Sequence, residues 1–417
     1  MSVRGITAII NRTFWGIILF FAIGNKVFAE DSYSPAVSMV TAVSNEHLML
    51  NQTFARIDNF MSLPEKERVL LRYNNKYAYT GAGQQVFSPT FIPDENAGVW
   101  IKSFTLFEQI PLNNGPNVSN VGYGTLVGVD TDLKHYKNGW DAAYTVHGTF
   151  QGSRENFKTT SSVDTIGNGG VTGAFFKKKF YTAATAVVGG DYTHDAVGRG
   201  EQTYRLFITS VASKTGYNIE FKQGKYILQP SLLVDYIYVL GSDFISSDGK
   251  SVTGDPLNAM HVSPSIKLIG NFKGGWQPYL AVAEIWTLMD SPVLYKNGVL
   301  QDRVSVDPYF EYGGGLQRKW KDRYTSFGQI LFRGGGRNGV SFYFGFRYAF
   351  GKDLKPSGKN KLKEAKDKPK DSIIQPDETK DFIAKPEGAK DFIVKPDETK
   401  APASVPVYRP YPCYPCY

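Results

Sequence analysis

The feature that most constrains this chain is a two-residue alternation that recurs between residues 98 and 350. From Trp140 one face carries Trp140, Ala142, Tyr144, Val146, Gly148 and Phe150, and the other carries Asp141, Ala143, Thr145, His147, Thr149 and Gln151. From Leu228 one face carries Leu228, Pro230, Leu232, Val234, Tyr236 and Tyr238, against Gln229, Ser231, Leu233, Asp235 and Ile237. From Val340 the apolar face is Val340, Phe342, Phe344, Phe346, Tyr348 and Phe350, with Ser341, Tyr343, Gly345, Arg347 and Ala349 opposite. A period of two belongs to a strand with two unlike faces, and no part of this region keeps a helical period. About twelve such runs start near Val99, Val121, Trp140, Ile166, Phe180, Tyr204, Tyr226, Ala259, Trp276, Val306, Tyr324 and Val340. Each run with its connection takes about 21 residues, room for a membrane-crossing strand of ~9–11 residues.

Which face is buried decides the fold. A soluble sandwich would bury a core rich in Leu, Ile and Val and expose Lys and Glu. Here the apolar faces end in aromatics, and the opposite faces hold Gly, Ser, Thr, Asp and Gln. That is the pattern of a barrel with lipid outside and water inside, which must close because an open edge in hydrocarbon leaves backbone groups unpaired. The start of the chain agrees. Arg4 and Arg12 precede a short apolar run, Phe14 to Ile23, and Val27-Phe28-Ala29 forms a cleavage site, so residues 1–29 read as a secretory signal peptide. Loss of Arg4, Arg12 and Lys26 with that leader lowers the formal charge from +8 to +5, too mild and scattered for a nucleic-acid partner. The expected fold is therefore all-β, a 12-stranded antiparallel transmembrane barrel over 98–350 in the outer membrane, with outer-membrane lipid as its first partner.

Two flanking segments differ. Residues 30–97 form a lead-in in which Ser44 to Met61 reads as an amphipathic helix, with Ser44 as N-cap and Leu50, Phe54, Ile57 and Met61 on one face, Arg56 beside them. Residues 351–417 carry a ten-residue repeat, DSIIQPDETK, DFIAKPEGAK and DFIVKPDETK, at 371–400. One apolar pair and one proline per ten residues cannot build a core, so this Lys- and Pro-rich tail is expected to be disordered. An even strand number puts both barrel ends on the periplasmic side. The tail would then hang in the periplasm as a spacer or as a contact to peptidoglycan or a periplasmic protein. Cys413 and Cys416 close the chain and could form a disulfide there.

Catalytic chemistry is not expected. His147 shares a face with Asp141 and Thr145, and His194 follows Asp191, but no nucleophile motif accompanies either. No acidic cluster has calcium-loop spacing, and no cofactor or metal is expected. Asp141, His147, Gln151, Asp235 and Arg347 are instead candidate lumen residues, and the glycines of 167–170 are expected to leave room beside a pore helix. Glu155 to Val163, Gly241 to Pro256 and Val293 to Val306 are candidate surface loops.

Several segments in order carry a resemblance to the translocator domain of bacterial autotransporters: GVWIKSF (98–104), VGYGTLVGVD (121–130), YILQPSLLVDYIY (226–238), WQPYLAVAEIW (276–286), EYGGGLQRKW (311–320) and GVSFYFGFRYAF (339–350). The resemblance implies a helix threaded through the pore. It also implies that Phe342, Phe344, Phe346, Tyr348 and Phe350 form the closing strand read by the outer-membrane barrel assembly machinery. Three departures stand out. Only 30–43 would separate the cleavage site from the helix, so no sizeable passenger is expected. The Asn-Asn at which some members cleave themselves is Asn51-Gln52 here, with Asn74-Asn75 further on, and the chain runs 67 residues past Phe350. The functional expectation is a porin-like pore or scaffold, with surface adhesion through the loops or, less favoured, hydrolysis as alternatives.

Overall fold

The computed structural model describes residues 34–66, 68 and 96–350, save 199, 290, 302, 321 and 322. The signal peptide, the tail repeats, Cys413, Cys416 and Asn74-Asn75 lie outside the described residues.

Twelve long strands form one sheet: β1 (Gly98–Asn113), β2 (Asn117–Asp130), β3 (Asp141–Phe157), β4 (Thr160–Lys177), β5 (Phe180–Val197), β6 (Gly200–Tyr217), β7 (Tyr226–Gly241), β8 (Leu257–Gly270), β9 (Trp276–Met289), β10 (Tyr309–Trp320), β11 (Tyr324–Gly335) and β12 (Asn338–Ala349). Each pairs antiparallel with its predecessor, and β12 pairs with β1 from Gly98↔Ala349 to Gln109↔Asn338, so the sheet closes. The barrel therefore has no free edge in its hydrocarbon-facing wall. The observed strands begin within six residues of the twelve sequence positions.

The pleat sorts the side chains as the alternation requires. Val146, Phe150, Val171, Val188, Val211, Leu232, Leu280 and Phe344 project outward and exposed, while Thr145, His147, Gln151 and Asp235 on the same strands are buried inside. Outward aromatics cluster where the wall should meet the bilayer interfaces. Trp320, Tyr324, Phe346, Tyr348 and Phe350 form a chain of ring contacts at one end, and Tyr312 stacks on Phe332 with centroids 5.9 Å apart toward the other. Small residues admit large neighbours inside: a Cβ on Gly128 would run into the Trp100 ring, and one on Gly315 into Tyr279.

The ends of the barrel differ. At the terminal end, where Gly98 meets Ala349, the connections are short or moderate. At the opposite, loop end, two long connections, 242–256 and 290–308, fold together into a separate four-stranded sheet of Phe244–Ile245, Ser251–Gly254, Leu294–Lys296 and Val299–Leu300. These are the expected loops Gly241 to Pro256 and Val293 to Val306. Glu155 to Val163 is not a loop: β3 and β4 run through it and turn at Lys158–Thr159, with Lys158 at φ +47°. Glu155 and Ser162 face the lumen on strands that rise past the rest of the wall to the loop end.

Inside the barrel lie two helices, α1 (Ser34–Thr53) and α2 (Ala55–Met61), joined at Phe54. The helical segment thus begins ten residues before Ser44, which is buried in mid-helix and caps nothing. SPAVSMVTAV offers only a narrow hydroxyl stripe, Ser34, Ser38 and Thr41, and no charged residue, so its amphipathic signal is weak. Enclosure by the wall makes a broad polar face unnecessary, because nearly every residue of α1 is buried whichever way it points.

Candidate functional site: a helix held in the barrel lumen

The helical segment runs the length of the lumen. Ser34 lies at the loop end, its hydroxyl donating to Asp195 Oδ2 of β5 at 2.5 Å. Beneath the loop sheet, Pro35 and Met39 meet Tyr204, Phe244, Val252 and Leu294, and Tyr204 stacks on Phe244 at 4.7 Å. Ser62 lies at the terminal end, where Gln277 Nε2 donates to its carbonyl at 3.1 Å and Asn218 Nδ2 donates to the Met61 carbonyl at 2.6 Å. Leu50, Phe54, Arg56, Ile57 and Met61 are all buried against the wall.

Three polar groups fix the middle of α1. His47 and His261 (β8) each place Nδ1 on the Asp235 carboxylate of β7, at 2.6 and 2.7 Å, one on each oxygen, with ring centroids 4.5 Å apart. One carboxylate thereby ties the helix to two adjacent strands. Among the described residues these three offer donor atoms within 4.8 Å of one another, as a metal site would. Their separations are hydrogen-bond lengths, however, and an ionised Asp235 makes both rings donors. One residue earlier, Glu46 accepts from Asn168 of β4 at 2.5 Å and from Ser210 of β6 at 2.7 Å. Arg337, in the β11–β12 turn, donates to Glu108 Oε2 at 2.9 Å and to the Ser44 carbonyl at 3.3 Å, and Arg333 bridges Glu108 and Glu311.

Toward the terminal end the contacts become cationic. Lys102 of β1 donates to the Gln52 carbonyl at 2.9 Å, Lys214 of β6 to Asn51 Oδ1 at 3.1 Å, and Lys319 of β10 to the Asn59 carbonyl at 2.9 Å. These ammonium groups meet helix C-termini, where free carbonyls and the helix dipole favour positive charge. Toward the loop end the wall is acidic. Glu155, Asp164, Asp191 and Asp195 are all buried there, around the start of α1. Acidic groups thus surround the start of the helix and ammonium groups the helix C-termini, the placement that the dipole favours.

The other predicted positions are now placed. Asp141 and His147 both face inward but do not pair: Asp141 accepts from His135 at 2.7 Å, while His147 Nε2 lies 3.1 Å from Thr172 Oγ1. Asp191 and His194 are on opposite faces of β5, and among the described residues neither candidate histidine is hydrogen-bonded to a carboxylate. Gln151 is buried on the lumen face, and Arg347 binds Asp130 at 3.1 Å, which also accepts from Trp100 and Thr145. Of residues 167–170, Asn168 and Gly170 face the lumen and Gly167 and Gly169 face outward. Phe342, Phe344, Phe346, Tyr348 and Phe350 all lie on the outward side of the closing strand. The sequence reading passed over Glu46, Lys102, Glu108, Lys214, Lys267, Lys319, Arg333 and Arg337. The signal available was a lone charge at an inward position of an alternating strand, as with Lys102 between Ile101 and Ser103.

A closed meander of twelve strands around a threaded helix is a specific arrangement, and solved translocator domains align with it. The barrel has the autotransporter translocator fold. The transport unit of AIDA-I from Escherichia coli aligns at a TM-score of 0.53 and 14% identity, over 69% of this chain and 99% of that one. The NalP translocator domain from Neisseria meningitidis gives 0.52 and 12%, over 72% and 98%. The β domain of Bordetella BrkA gives 0.50 and 16%, over 61% and 100%. No family signature and no curated sequence matches. The translocator-type likeness therefore rests on fold.

Proposed function

We propose that the protein is an outer-membrane barrel whose pore is filled by its own N-terminal helix, acting as a plugged pore and surface-facing scaffold. The observation that carries this reading is the burial of the helix on all sides, tied at Asp235, Arg337, Lys102 and Lys319. In this reading the terminal end faces the periplasm, Phe342 to Phe350 address the assembly machinery, and the tail from residue 351 reaches peptidoglycan or a periplasmic protein. The chemistry is passive, since occupancy of the lumen decides what passes. Planar-bilayer recording of the purified barrel with and without residues 34–61 tests it. Removal of the helix is expected to raise unitary conductance severalfold, and equal conductance would sink the plug assignment.

A second reading has one observation in its favour. The two long connections form an ordered sheet rather than separate loops, which suits a fixed binding surface. Asp248 joins them, accepting from Lys250 at 2.9 Å and Lys296 at 3.1 Å. Excision of 244–254 that abolishes cell adhesion while the barrel still folds would favour adhesion.

A further inference from the structure

One lumen feature is not used up by holding the helix. Beside the end of α1 and the start of α2, a cavity of about 110 Å³ remains between the helix and the inner wall of β6–β11, with Lys102 of β1 also lining it. It is smaller than the ~150 Å³ engineered cavity that admits benzene. Its lining mixes apolar and polar side chains and is lopsided in charge: Lys102, Lys214 and Lys267 face Asp58. Glu311 also touches the cavity, but its carboxylate is held by Arg333 at 2.9 Å. His47 touches it as well and is bound to Asp235. Three ammonium groups thus share one uncommitted carboxylate, which Lys267 reaches at 3.5 Å.

Each ammonium has three N–H donors. Among the described residues their acceptors are the Gln52 carbonyl and Oε1, Asn51 Oδ1 and Asp58 Oδ1, so donor capacity is left over. The aromatic faces of Tyr279 and Phe327, at 4.2 Å from Lys267 and 5.2 Å from Lys102, supply weak additional partners. Like charges this close in a confined space repel, and the repulsion falls when an anion enters. Water reaches the site, for the side chains of Lys267 and Asp58 keep 19% and 27% of their surface. The barrel wall separates the cavity from lipid headgroups.

We propose that this cavity binds a small inorganic anion, held by Lys102, Lys214 and Lys267. The inference relies on the filled-lumen reading only for the helix residues that form one wall. Titration calorimetry of the full refolded chain with sodium sulfate, at constant ionic strength in a gluconate background, tests it. The wild type is expected to bind sulfate saturably. Lys102→Gln with Lys214→Gln is expected to weaken binding tenfold or more. Asp58→Asn, which removes the competing carboxylate, is expected to tighten it severalfold, an effect a merely structural role would not produce. Absence of saturable heat from a barrel that still shows heat-dependent gel mobility overturns the proposal, as does unchanged binding in the double variant. If that variant fails to fold, Lys267→Gln and bromide anomalous diffraction from wild-type crystals decide. A bromide peak among the three lysines supports the site, and peaks only elsewhere overturn it. Sulfate binding without helix-dependent conductance would fell the plug and leave this site standing; conductance without sulfate binding would do the reverse.

Discussion

The two halves of the lumen hold the same helix by different means. In the terminal half, single lysines donate to backbone carbonyls of the helix at 2.9 Å, and each such contact is directional and charge-assisted. In the loop half, four buried carboxylates crowd the start of α1, and above the Arg337 bond to the Ser44 carbonyl the polar contacts to the helix among the described residues are hydroxyl groups, Ser34 to Asp195 and Ser38 to Ser162. Grip in the first half comes from bonds that break if one partner is lost. In the second it comes from apolar packing of Val37, Met39 and Val40 under the loop sheet, with charge supplying orientation. A threaded helix can therefore be strongly oriented by its surroundings while being specifically bonded over only part of its length.

The difference predicts an order of effects. Lys102→Glu should be the most damaging change, since it sets a carboxylate against the Gln52 carbonyl and near Asp58. A loss on the order of 3–5 kcal/mol is expected for an uncompensated buried charge, read as a lower midpoint for the heat-induced gel shift. Asp235→Ala, between the halves, should cost about 3 kcal/mol by leaving two buried imidazoles without their acceptor. A loss equal to that of a surface substitution would show that the His47–Asp235–His261 contact holds nothing. Lys319→Met should cost about 1.5–3 kcal/mol through one charge-assisted bond. Asp164→Asn in the loop half should be neutral or stabilising by up to about 1 kcal/mol, because it relieves crowding among like charges. Destabilisation comparable to Lys319→Met would erase the contrast.

The smallest effect belongs to the loop sheet. Slight burial pushes the Asp248 carboxyl up, but hydrogen bonds from Ser246, Lys250 and Lys296 outweigh this and hold it below the usual carboxylate range. A lowered folded value means the contact contributes fully above the ordinary aspartate range near ~4 and is lost as pH falls through the folded value. Protease sensitivity of 242–256 should therefore be flat from pH 8 to 5 and rise only in stronger acid. Asp248→Asn should abolish that acid dependence.

These contrasts also explain what the sequence disclosed. The wall was legible because a lipid-facing strand must alternate, so Phe342 to Phe350 and Tyr144 to Phe150 announce their faces. The start of the helix was not, because a helix enclosed by a barrel has no solvent side, and Ser34 to Val43 carries only the faint hydroxyl stripe of Ser34, Ser38 and Thr41. The lysines at 102, 214 and 319 were missed for a related reason. Their acceptors lie on a distant segment, backbone carbonyls for Lys102 and Lys319 and the Asn51 amide oxygen for Lys214, and such long-range pairs leave no mark in a sequence. Glu155 to Val163 misled because polar residues high on a strand resemble those of a loop, although Glu155, Ser162 and Asp164 point into the lumen.

The seam between β1 and β12 sets a timetable. Gly98 and Ala349 are neighbours in the wall but stand at opposite ends of the barrel segment, so the ring cannot shut until the last strand has been made and delivered. Until then β1 has a row of unpaired amides and carbonyls that hydrocarbon will not tolerate. The α1–α2 segment, already synthesised and lying upstream of β1, is on hand throughout that interval. A chain built in this order completes its wall around a helix that is already present, rather than opening a finished ring to admit one.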